Sequence, residues 1–301
     1  MNKSTHAEKV FLVSIYLLSS IATTVINKYV ISILKFNMLF VYLMIQSIFI
    51  AAILSILHWY RLIYIRRINS SFVFKWAPCS LLLSLMIFTG AKSMEYLPVS
   101  LFTLFKNFSI ILVACSEYFI YARRIGLRTI ISFSLIILSS IVGEYTDFTT
   151  SKLGYAWSVL NALSTATYVI MLKFNIDTEY VSNFESVFYT NFLSIPFLLF
   201  GSLSIDKIDY RITKFDATLA KILTIIIVSS IFAFFVSYST AWTLRALSST
   251  TLSMMGAFNK LFVSFSGMIF LGEKNISLLK GASLIIGSLA GLLYSKEIKN
   301  E

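Results

Sequence analysis

The sequence predicts an all-α membrane protein of ten transmembrane helices arranged as two inverted five-helix repeats. Composition is the first reason. With 57% hydrophobic and 13% charged residues in 301, and a mean hydropathy of +0.82, the chain has too little polar surface to cover a soluble globule. The second is the spacing of ten apolar segments, most near the ~20 residues that a spanning helix needs. The third is a recurrence: Leu104-Phe105-Lys106-Asn107 in the fourth segment and Ala257-Phe258-Asn259-Lys260 in the ninth place Phe, Lys and Asn together at similar depth. An offset of five segments is odd, so two such halves face opposite ways in the membrane, an architecture that transporters use for alternating access.

Residues 1–9 are polar, and the first apolar segment, 10–34, lacks a small-residue cleavage site; it reads as a retained helix and not a signal peptide. Further segments lie at 38–58, 76–96, 99–121, 129–146, 153–172, 185–203, 217–244, 249–271 and 277–295. Three prolines, eleven glycines and the lack of low-complexity sequence leave a single transmembrane domain, 1–301, with repeat one at about 10–146 and repeat two at about 153–295. Ten spans put both termini on one side. Thirteen Lys and Arg in one set of loops, Lys173 among them, against six in the other place that side in the cytoplasm. The same bias accounts for the net charge of +11, and nucleic acid is excluded as a partner because the basic residues are scattered over short loops. Cys79 and Cys115 lie in apolar runs and read as small buried hydrophobes, so neither a disulfide nor a metal or other cofactor is implied.

Six lysines fall inside the predicted spans. Lys28, Lys92, Lys221 and Lys280 lie near helix ends and can snorkel, whereas Lys106 and Lys260 are well inside. A lysine at a helix centre costs roughly 2.5–3.5 kcal/mol on insertion-derived scales. On the ninth segment Gly256, Asn259 and Lys260 share one helical face, which Ser264 and Gly267 continue. That stripe fits an anionic ligand near the membrane midplane; the alternative is a helix contact in which Lys260 pairs with a carboxylate. The seventh segment carries Phe188-Tyr189-Thr190-Asn191, followed by Ser194 and Pro196. An aromatic pair beside an amide could stack and hydrogen-bond a planar base, or the Asn could satisfy a neighbouring backbone while Pro196 kinks the helix. Tyr16 and the run Ser237 to Thr240 add hydroxyls, which in membrane helices usually bond their own i−4 carbonyl. His6 and His58 have no triad or metal-ligand neighbour, and no phosphate-cradling Gly-rich loop is present, so the chain is not read as an enzyme. Transport would run on a gradient, most simply by exchange.

These residues resemble those of the GDP-mannose transporters, in the nucleotide-sugar transporter group of the drug/metabolite transporter superfamily. Gly256-Ala257-Phe258-Asn259-Lys260, preceded by Ser249-Thr250-Thr251, is similar to the family's Gly-Ala-Leu-Asn-Lys motif, and Phe188-Tyr189-Thr190-Asn191 to its Phe-Tyr-Asn-Asn motif. Thr23 to Tyr29 and Phe105-Lys106-Asn107 match family segments as well. The resemblance implies the drug/metabolite transporter fold and antiport of a cytosolic GDP-sugar such as GDP-mannose for lumenal GMP in the Golgi, with the endoplasmic reticulum or vesicles as alternative membranes. It assigns Thr190 and Asn191 to guanine, with Tyr189 beside them and Ser237 nearby. To sugar and phosphates it assigns Gly256, Asn259 and Lys260, with Lys106 on the matching segment and Tyr16 along the cavity. This chain departs from the family at Thr190, where an Asn is expected, and at Leu252 and Phe102, where tyrosines are expected. The two lost hydroxyls bear on the sugar more than on the nucleotide. The partners implied are a GDP-sugar, GMP and the lipid bilayer, with a homodimer left open. GDP-fucose, another nucleotide sugar, a phosphorylated metabolite and a non-transporting membrane subunit are the alternatives.

Overall fold

The computed structural model describes residues 6–30, 38–67, 69–97, 99–122, 125–144, 151–206, 217–270 and 278–298; over 260–270 only the backbone is described. Helix is the only regular structure among the described residues, in ten elements. They are α1 (His6–Lys28), α2 (Leu39–Trp59), α3 (Ser70–Tyr96), α4 (Val99–Tyr121), α5 (Leu127–Glu144), α6 (Lys152–Glu179), α7 (Asn183–Ile205), α8 (Ala217–Ala246), α9 (Ser249–Phe270) and α10 (Leu278–Ile298). By length and composition α1, α2, α3, α6, α7 and α8 can each cross a membrane.

Two helices outrun their apolar segments because polar residues at their ends find partners. α3 begins at Ser70, where the Asn69 side chain accepts the Phe72 N–H at 2.8 Å as an N-cap. α6 continues to Glu179 through Lys173 and Asn175, and the Asn175 amide donates to the Lys75 carbonyl at 3.1 Å. Lys173 is thus not a loop residue: it is 8% exposed inside α6, and its ammonium donates to the Leu244 carbonyl at 2.9 Å. Cys79 is buried as expected, but Cys115 is exposed.

The chain divides into two compact units, and neither coincides with a half of the sequence. The first takes 1–10, 85–174 and 243–301; the second takes 11–84 and 175–242. In the first, α4, α5, α9 and α10 surround a core of Ile110, Ala114, Phe133, Ile136, Met254, Ala257, Ala290 and Tyr294. Gly291 lets α10 approach α9 closely, since a Cβ there would collide with the Phe258 ring. Ser139 on α5 donates to the Ser283 carbonyl on α10 at 2.6 Å.

In the second unit α2 packs on α7, and Gly201 permits it: a Cβ would lie 2.6 Å from the Phe40 ring. Val30, Tyr42, Ile222 and Ile226 form a smaller core. Beside it a buried polar network joins α1, α2 and α8. The Tyr42 hydroxyl contacts Asn27 Oδ1 at 2.6 Å and Ser229 Oγ at 2.5 Å, and Gln46 donates to Ser229 at 2.7 Å. Asp206, just past α7, accepts the Phe40 and Val41 N–H groups at 3.2 and 2.9 Å and so caps α2. Burial pushes its carboxyl above the ordinary value, and the backbone donors oppose that shift. The packed pairs α2 with α7, α4 with α9 and α5 with α10 each join helices five apart in chain order.

Candidate functional site

The residues singled out by the sequence fall on α1, α7 and α8 in the second unit and on α4 and α9 in the first. α7 starts with a capping box: Ser182 Oγ accepts the Glu185 N–H, and the Glu185 carboxylate accepts the Ser182 N–H at 2.7 Å. Glu185 also accepts the Arg66 N–H at 3.1 Å, with the Arg66 Nε 3.5 Å away, so the start of α7 is tied to the α2–α3 connection. Tyr189 extends that tie. Its hydroxyl donates to the Arg66 carbonyl at 2.8 Å, and its ring, 1% exposed, packs on Phe72 and Trp76 with centroids 5.1 and 5.8 Å apart. The aromatic ring offered by the sequence as a platform for a base is here engaged in the helix packing.

Asn191 is buried and donates to the Val187 carbonyl at 2.8 Å, on its own helix. The Thr190 carbonyl accepts from Ser80 at 3.2 Å, but the Thr190 hydroxyl is buried with no hydrogen-bond partner among the described residues. Many other serines and threonines do bond their i−4 carbonyl, among them Ser19, Thr23, Thr24, Ser55 and Ser239. Ser237 lies half-buried on α8 beside Tyr238, whose ring packs against Phe184 at 4.9 Å, and Tyr16 is half-buried on α1.

α9 presents two faces. Met254, Ala257 and Phe258 enter the core of the first unit, while Leu252, Gly256 and Asn259 lie on the other side by helical periodicity. Leu252 is buried, Gly256 half-buried, and Asn259 8% exposed with its amide oxygen unpartnered among the described residues. The Lys260 side chain lies outside the described residues. On α4 the Lys106 ammonium stands 5.8 Å over the Phe102 ring, and no carboxylate pairs with it among the described residues. Phe102 therefore serves as a cation–π partner at the position where the resemblance implies a hydroxyl. Asn107 turns away and donates to Ser140 at 2.6 Å.

Among the described residues, a half-buried cation without an anion and buried oxygens without partners are groups that a polar, anionic ligand would satisfy. Sequence reasoning passed over Glu117, which is 2% exposed on α4 and accepts the Ser249 and Thr250 N–H groups at 2.7 and 3.2 Å. Its signal was available: an acid inside a predicted span needs a partner. Gln46 carried the same signal for the α1–α2–α8 network.

No family model matches the chain. Among its relatives, the GDP-mannose transporter of Komagataella pastoris is 36% identical over 291 residues, covering 93% of this chain and 88% of its own. Those of Scheffersomyces stipitis and Coccidioides immitis are each 34% identical over 93% of this chain, and over 89% and 78% of theirs. A solved crystal structure aligns over 92% of this chain and 97% of its own with a TM-score of 0.68 at 10% identity, which shows a shared fold alone.

Proposed function

The chain belongs to the GDP-mannose transporter family, and from that membership we propose that it is a nucleotide-sugar antiporter exchanging cytosolic GDP-mannose, or a related GDP-sugar, for lumenal GMP across a Golgi membrane. It is a transporter and not an enzyme. The observation that carries the assignment of the site is that two buried oxygens, Thr190 Oγ1 and Asn259 Oδ1, one in each motif, have no hydrogen-bond partner among the described residues. An unsatisfied buried acceptor costs about 1–3 kcal/mol, which a bound ligand would recover. In this reading Thr190 and Asn191 meet the guanine with Ser237 nearby, Tyr189 holds α7 in register, and Tyr16 borders the ligand. Lys106 over Phe102, with Gly256, Asn259, Lys260 and Leu252, faces the phosphates and sugar.

Exchange follows from charge. Lysines stripped of water are compensated by the ligand's phosphates, so the empty carrier would have to reorient with bare cations; reorientation is therefore coupled to bound nucleotide. All ten helices span the bilayer in this reading, as two inverted repeats at about 10–146 and 153–295. The packing of α2 on α7, α4 on α9 and α5 on α10 supports that arrangement. Both termini face the cytoplasm, a side supported by the basic loop bias, which persists with Lys173 counted in α6. Self-association as a homodimer is compatible with this reading.

The test is exchange in liposomes. Vesicles containing the purified protein and loaded with GMP should take up labelled GDP-mannose, while UMP-loaded vesicles should not. Uptake with either nucleotide inside would remove the guanine assignment. GMP-driven uptake of GDP-fucose in place of GDP-mannose would keep the nucleotide and move the sugar, the direction in which Phe102 and Leu252 point. Failure with every nucleotide sugar and phosphorylated metabolite would favour a non-transporting subunit.

A further inference from the structure

We infer that Glu117 and Lys173 are positioning residues of the transporter, which clamp the corner between α8 and α9 from both sides and so set where α9 presents Gly256, Asn259 and Lys260. The functional half of this inference rests on the transport reading above.

α8 ends at Ala246 and α9 begins at Ser249, so two helix ends of opposite polarity meet across a two-residue joint. The last carbonyls of α8 carry partial negative charge and the first amides of α9 partial positive charge, and buried groups of both kinds need partners. Leu247, Ser248, Ser249, Thr250 and Thr251 are all buried. A charge of the matching sign serves each end. The Lys173 ammonium donates to the Leu244 and Leu247 carbonyls at 2.9 and 3.4 Å and lies 5.6 Å over the Tyr121 ring. The Glu117 carboxylate accepts the Ser249 N–H at 2.7 Å, the Thr250 N–H at 3.2 Å and the Thr250 hydroxyl at 2.6 Å. Glu117 and Tyr121 are one turn apart on α4, so α4 supplies both the carboxylate and the ring under the lysine. Ser248 completes the joint locally by accepting the Thr251 N–H at 3.0 Å.

The consequence is mechanical. Gly256, Asn259 and Lys260 lie roughly 10–16 Å along the same helix from its capped end, at about 1.5 Å per residue. A helix transmits a tilt or slip at its start to the rest of its length, and a displacement of about 1 Å at a ligand contact can cost about a hundredfold. Glu117 and Lys173 need not touch the ligand to set its affinity.

Hydrogen exchange and transport kinetics on the same purified proteins test this. In Glu117→Ala, the amides of 247–252 should exchange about tenfold faster than in wild type, as expected when a buried cap is removed. The half-saturating GDP-mannose concentration for GMP-driven uptake should rise about tenfold, with the maximal rate per folded transporter within about twofold of wild type. Glu117→Gln, which keeps one acceptor oxygen and guards against misfolding of the alanine variant, should fall between. Lys173→Met should raise the half-saturating concentration in the same way. Unchanged exchange over 247–252 would show that the clamp does not hold the joint, and a fall in maximal rate at unchanged half-saturation would leave these residues a folding role only; either result would overturn the inference. If the wild-type protein moves no nucleotide sugar, the transport reading fails by itself, and the exchange over 247–252 still decides whether the clamp exists.

Discussion

The two motif helices differ in how much of their polar capacity the fold consumes. On α7, Tyr189 is bonded to Arg66 and packed on Phe72 and Trp76, Asn191 donates to Val187, and Ser194 donates to the Asn191 carbonyl; the Thr190 hydroxyl is left over. On α9, the Asn259 oxygen has no partner among the described residues and Gly256 leaves its stretch of backbone without a side chain, while the packing duty falls to Met254, Ala257 and Phe258 on the opposite side. α7 thus has most of its polar groups engaged in the fold, whereas α9 packs through one face and leaves polar groups on the other unengaged among the described residues. A base needs a few fixed hydrogen bonds in one plane, whereas phosphates need charge and room.

That contrast can be broken at several points. The largest effect is expected at Lys260: truncation to Ala should abolish GMP-driven exchange, a loss of about 2–5 kcal/mol for an uncompensated buried anion, with the protein still folded. Normal exchange by purified Lys260→Ala would sink the charge assignment for α9. Asn191→Ala should weaken competition by GDP and GMP alike by about 1–3 kcal/mol. A change confined to sugar selectivity would mean that the roles of the two motifs are exchanged. Gly201→Ala tests the packing of α7 on α2, because a methyl group 2.6 Å from the Phe40 ring forces α2 and α7 apart; a thermal-stability loss of about 1–3 kcal/mol is expected.

Thr190→Val separates a ligand contact from an idle orphan. If its hydroxyl meets the base, GMP competition weakens by about 1 kcal/mol; an idle orphan would make the change neutral or stabilising, since an isosteric apolar group relieves an unpaired one. The smallest effect belongs to Asp206, which anchors α2 to the end of α7. Burial raises its carboxyl in the folded state, so its proton is held more tightly there than in the unfolded chain. That contribution to stability is present at low pH and is lost as pH rises through the raised value. On acidification from neutral pH the unfolding free energy of the wild type should climb relative to Asp206→Asn, by under about 1 kcal/mol at this partly exposed group, read as a rise in relative Tm. Parallel pH profiles for the two proteins would show that desolvation does not govern this cap.

Hydrophobic segments and motif chemistry were legible in the sequence because each depends on near neighbours in the chain. The ten helices lie close to their apolar windows, and the motifs that hold Thr190 and Asn259 are contiguous in the chain. Polar partners distant in sequence were not legible. Whether Tyr189 faces a ligand or Trp76, whether Lys173 lies in a loop or under the end of α8, and which helix Glu117 caps are decided by residues 71 to 132 positions away in the two charged cases. Length and hydropathy determine that a segment becomes a helix in lipid, since every backbone group must be satisfied within it. Which side chains remain free for a ligand depends on what the other helices have already claimed, and only tertiary packing brings those claimants into reach.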